Sequence, residues 1–178
     1  IKFLKKNNIK LLVTATTASV SPAEHIMFMI MNISKGTDFF DKVVRNGEFE
    51  SVMHMKHNNF ELSNKKILII GFGRIGRKLI KRCLGFEMKV YAYDPHVEKN
   101  IIESFGGTKI EDLRDGLKEA DIISLNVPLT EETQNMITLD KMKMMKKNAI
   151  IINTSRGGVV NEKDLDEALN AGLLFGAG

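Results

Sequence analysis

Ile67-Leu68-Ile69-Ile70-Gly71-Phe72-Gly73-Arg74-Ile75-Gly76, followed by Arg77 to Leu84 and then by Lys89-Val90-Tyr91-Ala92-Tyr93-Asp94, is the stretch on which the fold turns. The run Ile67 to Ile70 is too short for a helix and too uniformly apolar for a half-exposed strand, so it suits a parallel sheet buried on both faces. Three glycines at GxGxxG spacing come next. Gly71 permits a tight turn, Gly73 lets the backbone approach a pyrophosphate, and Gly76 lets the following helix sit close to the sheet. The unpaired N–H groups at the helix start, around Arg74 and Ile75, can bond phosphates with help from the helix dipole. Asp94 stands 18 residues after Gly76 at the end of the next strand. There a carboxylate accepts bonds from the ribose hydroxyls of an adenosine and repels a 2′-phosphate, which favours NAD over NADP.

The same texture continues on the carboxyl side. Short apolar runs at Lys89 to Tyr93, Ile122 to Leu125 and Ala149 to Ile152 read as strands. Between and after them, Arg74 to Leu84, Val97 to Phe105, Asp112 to Glu119, Leu139 to Met145 and Glu162 to Asn170 read as helices. Strands alternating with helices predict right-handed crossovers in an α/β fold, a doubly wound parallel sheet of the Rossmann type.

On the amino side, Ser21-Pro22 predicts a helix from about Ala23, with serine as cap and proline in the first turn. That helix is Met-rich and apolar almost all round (Ile26 to Met31), so it is expected to be buried in a core or against a partner subunit. A second helix is expected from about Thr37 to Asn46, stopped by Gly47. The polar stretch 48–64, with His54 and His57, reads as a connecting arm.

Composition narrows the function classes. Of the 178 residues 43% are hydrophobic and 27% charged, values typical of a folded soluble protein. The net charge of +4 comes from scattered lysines rather than a basic stripe interleaved with aromatics, which argues against a nucleic-acid partner. The one cysteine, Cys83, excludes an internal disulfide and suits a reducing cytoplasm. The histidines His25, His54, His57 and His96 have no cysteine or HExxH context, so no metal site is expected. His25, inside the apolar helix, reads as structural. The longest apolar run near the start, Ile26 to Ile33, is interrupted by Asn32 and far short of the ~20 residues of a membrane span. The chain has no initiator methionine, and Phe175 to Gly178 end it without a helix end or polar tail, so it is expected to be an internal piece of a longer protein.

Four strings, in order, resemble the D-isomer-specific 2-hydroxyacid dehydrogenases: SVSPAEHIMFMIM (residues 19–31), GFGRIG with YDP (71–76 and 93–95), DIISLNVPLTEET (121–133) and NTSRGGVVNEKDL (153–165). Within that family they look most like the D-3-phosphoglycerate dehydrogenases. The resemblance implies a cofactor domain, residues 14–178, inserted into a substrate domain of which residues 1–13 are the end or crossover. It implies NAD as cofactor, hydride transfer at C2 of a D-2-hydroxy acid or 2-oxo acid, and a homodimer. It gives Arg156 the substrate carboxylate and the 2-oxo group, a role that suits a fork-shaped, permanently charged guanidinium. Thr154, Ser155 and Arg156 would line the nicotinamide end, and Val127 and Pro128 the wall beside the adenosine.

The family's acid/base histidine and its glutamate would lie beyond Gly178, so this stretch alone is expected to be inactive. Asn126 and Asn161 depart from the family pattern, where histidine and aspartate are frequent, and neither is expected to touch the chemistry. A glyoxylate or hydroxypyruvate reductase, a D-lactate dehydrogenase or a formate dehydrogenase shares these strings. So does a different class, the non-catalytic NAD(H)-sensing corepressors.

Overall fold

The computed structural model describes residues 2–11, 18–52 and 58–178. Helices α1 (Lys2–Lys6), α2 (Val20–Lys35), α3 (Thr37–Arg45) and the single turn α4 (Phe49–Val52) come first. An alternating series follows: β1 (Lys66–Ile70), α5 (Arg74–Gly85), β2 (Lys89–Tyr93), α6 (Lys99–Ser104), β3 (Thr108–Lys109), α7 (Leu113–Glu119), β4 (Ile122–Leu125), α8 (Leu139–Met142), β5 (Ala149–Asn153), α9 (Glu162–Asn170) and β6 (Leu174–Ala177).

The strands form one sheet in the order β3-β2-β1-β4-β5-β6, and every pairing is parallel. This is the doubly wound order, in which successive strands are added first to one side of β1 and then, from β4, to the other, leaving a crevice at the carboxyl ends of β1 and β4. Period-two alternation divides the core. Ile67, Ile69, Ile122, Ile150 and Ile152 face α2, α5 and α6, and pack with Ile26, Ile30, Leu79, Ile80 and Ile102. Leu68, Ile70, Ile123, Leu125 and Ile151 face the other layer, with Leu117, Met142 and Ala168. Both faces of the central strands are therefore dry, as their uniformly apolar sequence demands.

Several boundaries differ from the sequence reading, each for a physical reason. Helix α2 begins at Val20, with Ser19 at the cap position and no side-chain cap bond. Pro22 then lies within the first turn, where the N–H it lacks would have had no helical acceptor. This helix is also not buried all round: Ala23, Ile26, Met27 and Ile30 are covered, whereas Phe28 and Met31 face out. His25 is exposed and stacks on Phe28 at 5.8 Å. Helix α3 ends at Arg45 with Gly47 in the left-handed region. Within the expected arm, Phe49–Val52 makes one helical turn, while His54 and His57 lie outside the described residues.

Helix α1 was not anticipated, and α6 and α8 are shorter than expected. The strands β3 and β6 were not anticipated either. β3 is two residues long with a polar sequence, and β6 contains Gly176, which packs against Ile33 of α2. Both are defined by their pairing partners rather than by their own hydrophobicity. Cys83 of α5 is fully buried with its Sγ 3.8 Å from Met27 Sδ, and burial pushes its thiol up to about 12.

Candidate functional site

The glycine turn between β1 and α5 answers three different demands. Gly71 has φ +90°, and a Cβ there would meet the Asn126 carbonyl oxygen at 2.7 Å. A Cβ on Gly76 would meet the Gly71 carbonyl oxygen at 2.5 Å, so the helix sits against the turn more closely than any side chain allows. A Cβ on Gly73 would meet nothing within 4 Å. Two glycines are thus required by the fold itself, and the middle one opens onto free space.

Helix α5 starts at Arg74 with no side-chain cap at Gly73 and no acidic residue in its first turn. The N–H groups of Gly73, Arg74 and Ile75 have no acceptor among the described residues. Those orphan donors, at the positive end of the helix dipole, are a cradle for an anion. The turn ahead of them is fixed: the Gly71 N–H donates to Tyr93 O at 2.9 Å and the Phe72 N–H to Asp94 Oδ2 at 2.8 Å. Asp94 Oδ1 accepts from the His96 N–H at 2.9 Å. Each carboxylate oxygen keeps a second lone pair for a ligand.

A cavity of about 380 Å³ opens at this point. It is lined by Gly71, Gly73, Asp94, Val127 and Pro128, all singled out from the sequence, and by Asn126 among others. Arg74, Ile75 and Gly76 lie next to it in the first turn of α5. Asn126 was expected to stand apart from the chemistry. Its carbonyl oxygen occupies the space a Cβ on Gly71 would need, and its amide donates to Ser124 O and Oγ at 3.2 and 3.1 Å. The far wall is tied by Thr133, whose hydroxyl donates to Pro128 O at 2.6 Å and accepts from the Thr130 N–H at 2.8 Å. The i, i+3 threonines of Thr130-Glu131-Glu132-Thr133 are the signal that could have announced this turn.

Thr154, Ser155 and Arg156 do not line that cavity; they follow β5, two strands along the same carboxyl edge. Asn153, unremarked in the sequence, organises their loop. Its Oδ1 accepts from the Ser155 N–H and hydroxyl at 3.1 and 2.7 Å, and its Nδ2 donates to Arg156 O at 3.0 Å. Arg156 is exposed, donates to Ser155 O at 2.7 Å, and has no carboxylate partner among the described residues. Asn161, the second departure, caps α9 by accepting from the Asp164 N–H at 3.2 Å, a structural task that asparagine and aspartate share.

Among the described residues, the buried side-chain oxygen atoms without a partner are Asn126 Oδ1 and Thr154 Oγ1. A buried polar atom left unpaired costs ~1 to 3 kcal/mol. One of these residues lines the glycine-turn cavity and the other belongs to the Arg156 loop. No group of histidine, cysteine, aspartate or glutamate among the described residues is arranged to hold a metal ion, and no described helix is long and apolar enough to cross a membrane.

An uncapped helix start behind a closely packed glycine turn, a carboxylate at the end of β2 and a crevice at the switch point together define a dinucleotide-binding domain. Comparison with known proteins narrows the class. The chain belongs to the D-isomer specific 2-hydroxyacid dehydrogenases, whose NAD binding domain its residues 27–178 match. It is 36% identical over 160 residues to the D-3-phosphoglycerate dehydrogenase of Methanocaldococcus jannaschii, covering 90% of this chain and 30% of that protein. With the glyoxylate reductase of Thermococcus litoralis it shares 44% identity over 146 residues, 78% of this chain and 43% of that one. The structure of D-lactate dehydrogenase with NAD+ from Lactobacillus jensenii superposes with a TM-score of 0.83 at 31% identity, covering 99% of this chain and 52% of that chain. The chain thus spans from under a third to about half of the length of these relatives.

Proposed function

We propose that the protein containing this chain is an NAD-dependent oxidoreductase that interconverts a D-2-hydroxy acid and its 2-oxo acid. The observation that carries the reading is the glycine turn: Gly73 open to space, with unpaired N–H groups behind it and Asp94 beside it. When bound, NAD supplies the hydride acceptor. The N–H groups of Gly73, Arg74 and Ile75 bond its pyrophosphate in the turn that Gly71 and Gly76 make possible, Asp94 takes the adenosine ribose hydroxyls, and Val127 and Pro128 cover the adenosine. Thr154 and Ser155 face the nicotinamide end. Arg156 grips the substrate carboxylate with its fork and withdraws charge from the 2-oxo oxygen. The proton-transferring histidine and glutamate of this reading belong to sequence beyond Gly178.

D-3-phosphoglycerate is the substrate we favour, supported by relatives of that name at 36% identity. A glyoxylate or hydroxypyruvate reductase is the second reading, supported by the 44% identical glyoxylate reductase. We place the protein in the cytoplasm, where the single thiol stays reduced, and as a homodimer. Steady-state kinetics on the full-length protein decides among the substrates: NAD-linked oxidation of D-3-phosphoglycerate is expected at a higher kcat/KM than NADH-linked reduction of glyoxylate or hydroxypyruvate. A reversed order selects the second reading. NADH binding with no turnover of any 2-hydroxy acid would select the non-catalytic sensor.

A further inference from the structure

Phe72, the residue between the first two glycines, is fully buried and is held from every side. Its N–H is taken by Asp94. Its ring meets Phe105, next after α6, edge to face at 5.7 Å between centroids. Beyond its packing in the apolar core, Phe72 is contacted by Arg77, one turn into α5. The Arg77 Nε donates to the Phe72 carbonyl at 3.3 Å, and its guanidinium lies 6.0 Å from the Phe72 ring and 5.7 Å from the Phe105 ring. Arg77 is half-buried, and no carboxylate pairs with it among the described residues. A cation in the first turns of a helix is opposed by the helix dipole, so its position has to be maintained by these contacts.

We infer that Arg77 is a positioning residue of the cofactor site: it clamps the Phe72 peptide and ring against Phe105, so that the N–H groups of Gly73 and Arg74 are presented to the pyrophosphate in a fixed array. This rests on the reading that the Gly71 to Gly76 turn holds the cofactor's pyrophosphate. The clamp works through geometry: the Nε N–H on the Phe72 carbonyl, with the guanidinium within 6.0 Å of the centres of two rings that meet edge to face. A lysine at this position keeps the charge and loses that arrangement.

The test uses the full-length protein and two probes, ADP-ribose, which carries the pyrophosphate, and adenosine, which does not, each displacing NADH followed by fluorescence. In Arg77→Met and in Arg77→Lys alike, ADP-ribose is expected to bind about tenfold more weakly, the usual scale for losing one charge-assisted hydrogen bond. Adenosine should change less than about twofold on the same scale. Full rescue by lysine would overturn the clamp in favour of plain charge attraction. Equal losses for both probes would overturn it in favour of general loosening of the domain. If neither Arg77 variant folds, Phe105→Leu decides, because it removes one ring of the same clamp: selective weakening of ADP-ribose supports the inference, and none overturns it. Failure of the unaltered protein to bind NADH would remove the site reading itself, an outcome distinct from tight NADH binding that Arg77 does not influence.

Discussion

Asp94 has two tasks at once, and they predict how it fails. Its carboxylate holds the Phe72 and His96 N–H groups, and in the proposed function its free lone pairs take the ribose hydroxyls. Asp94→Ala is expected to shift the preference for NAD(H) over NADP(H) by ~1 to 3 kcal/mol, the scale of a charged hydrogen-bond partner. It should also weaken NAD(H) itself, because the buried Phe72 N–H loses its acceptor. Titration of both cofactors by fluorescence or calorimetry measures this, and equal or tighter NADP(H) binding by the unaltered protein would sink the assignment. Arg156 faces the opposite situation: it is exposed, and its guanidinium bonds Ser155 O with no carboxylate partner among the described residues. In the full-length enzyme Arg156→Ala is expected to lower kcat/KM by ~10² to 10⁴, with much less effect on NAD affinity, since the loss falls on transition-state stabilisation. Arg156→Lys should recover little of it, because an ammonium lacks the bidentate fork. Near-normal kcat/KM in Arg156→Ala would remove this residue from the active site. Asp94 was singled out in the sequence because it directly follows β2, whereas Arg156, three residues past the end of β5, was singled out through the family resemblance of its string. The second task of Asp94 was not, because Phe72 lies 22 residues away along the chain.

At the scale of elements, the β1–α5–β2 unit separates the needs of the fold from those of the ligand. Gly76→Ala places a Cβ where the Gly71 carbonyl oxygen already sits, so α5 has to move off the sheet. A loss of more than ~2 kcal/mol is expected, as for overpacking at a rigid backbone contact, visible as a lower Tm. Gly73→Ala meets nothing in the protein, so Tm is expected to stay within the range of a surface change, ~0.5 kcal/mol, while NAD affinity falls tenfold or more. A Gly73→Ala protein that binds NAD normally would show that the pyrophosphate does not approach this backbone. The same unit was the part of the fold most readable in advance. Strand β3 was missed because two polar residues form a strand only by pairing with Tyr91 and Ala92. The place of Asn126 beside Gly71 was not readable because β4, which it follows, reaches that turn only through the β1–β4 pairing.

For the whole molecule, the amino-terminal helices leave apolar surface in water. Phe28 on α2 is 61% exposed, Val44 on α3 60% and Phe49 on α4 55%. Large apolar side chains left in water on three neighbouring helices are candidates for an interaction face. We expect the full-length protein to be a homodimer that buries it, since a two-fold partner presents the same apolar face. Light scattering is expected to give the mass of two chains, with Phe28→Glu shifting the balance towards monomer. A stable monomer at micromolar concentration in the unaltered protein would refute the proposal. The sequence reading expected the methionine-rich helix to be buried in a core or against a partner subunit; the structure divides it into a face packed on α5 and β5 and a face that carries the exposed Phe28 and Met31.

The sequence by itself determined the alternation of buried strands and helices, the glycine turn and the carboxylate after β2, because these depend on local requirements. Such requirements are the space a Cβ would need, the sign of φ at Gly71, and uniformly apolar runs that only a two-sided burial can use. Only the tertiary structure decided which groups meet across the chain. Asn126 meets Gly71, Arg77 meets Phe72 and Phe105, Asn153 gathers the Arg156 loop, and β6 closes the sheet beside β5. Each of these is a through-space partnership set by strand order and register, and neither quantity is written in the pattern of any single segment.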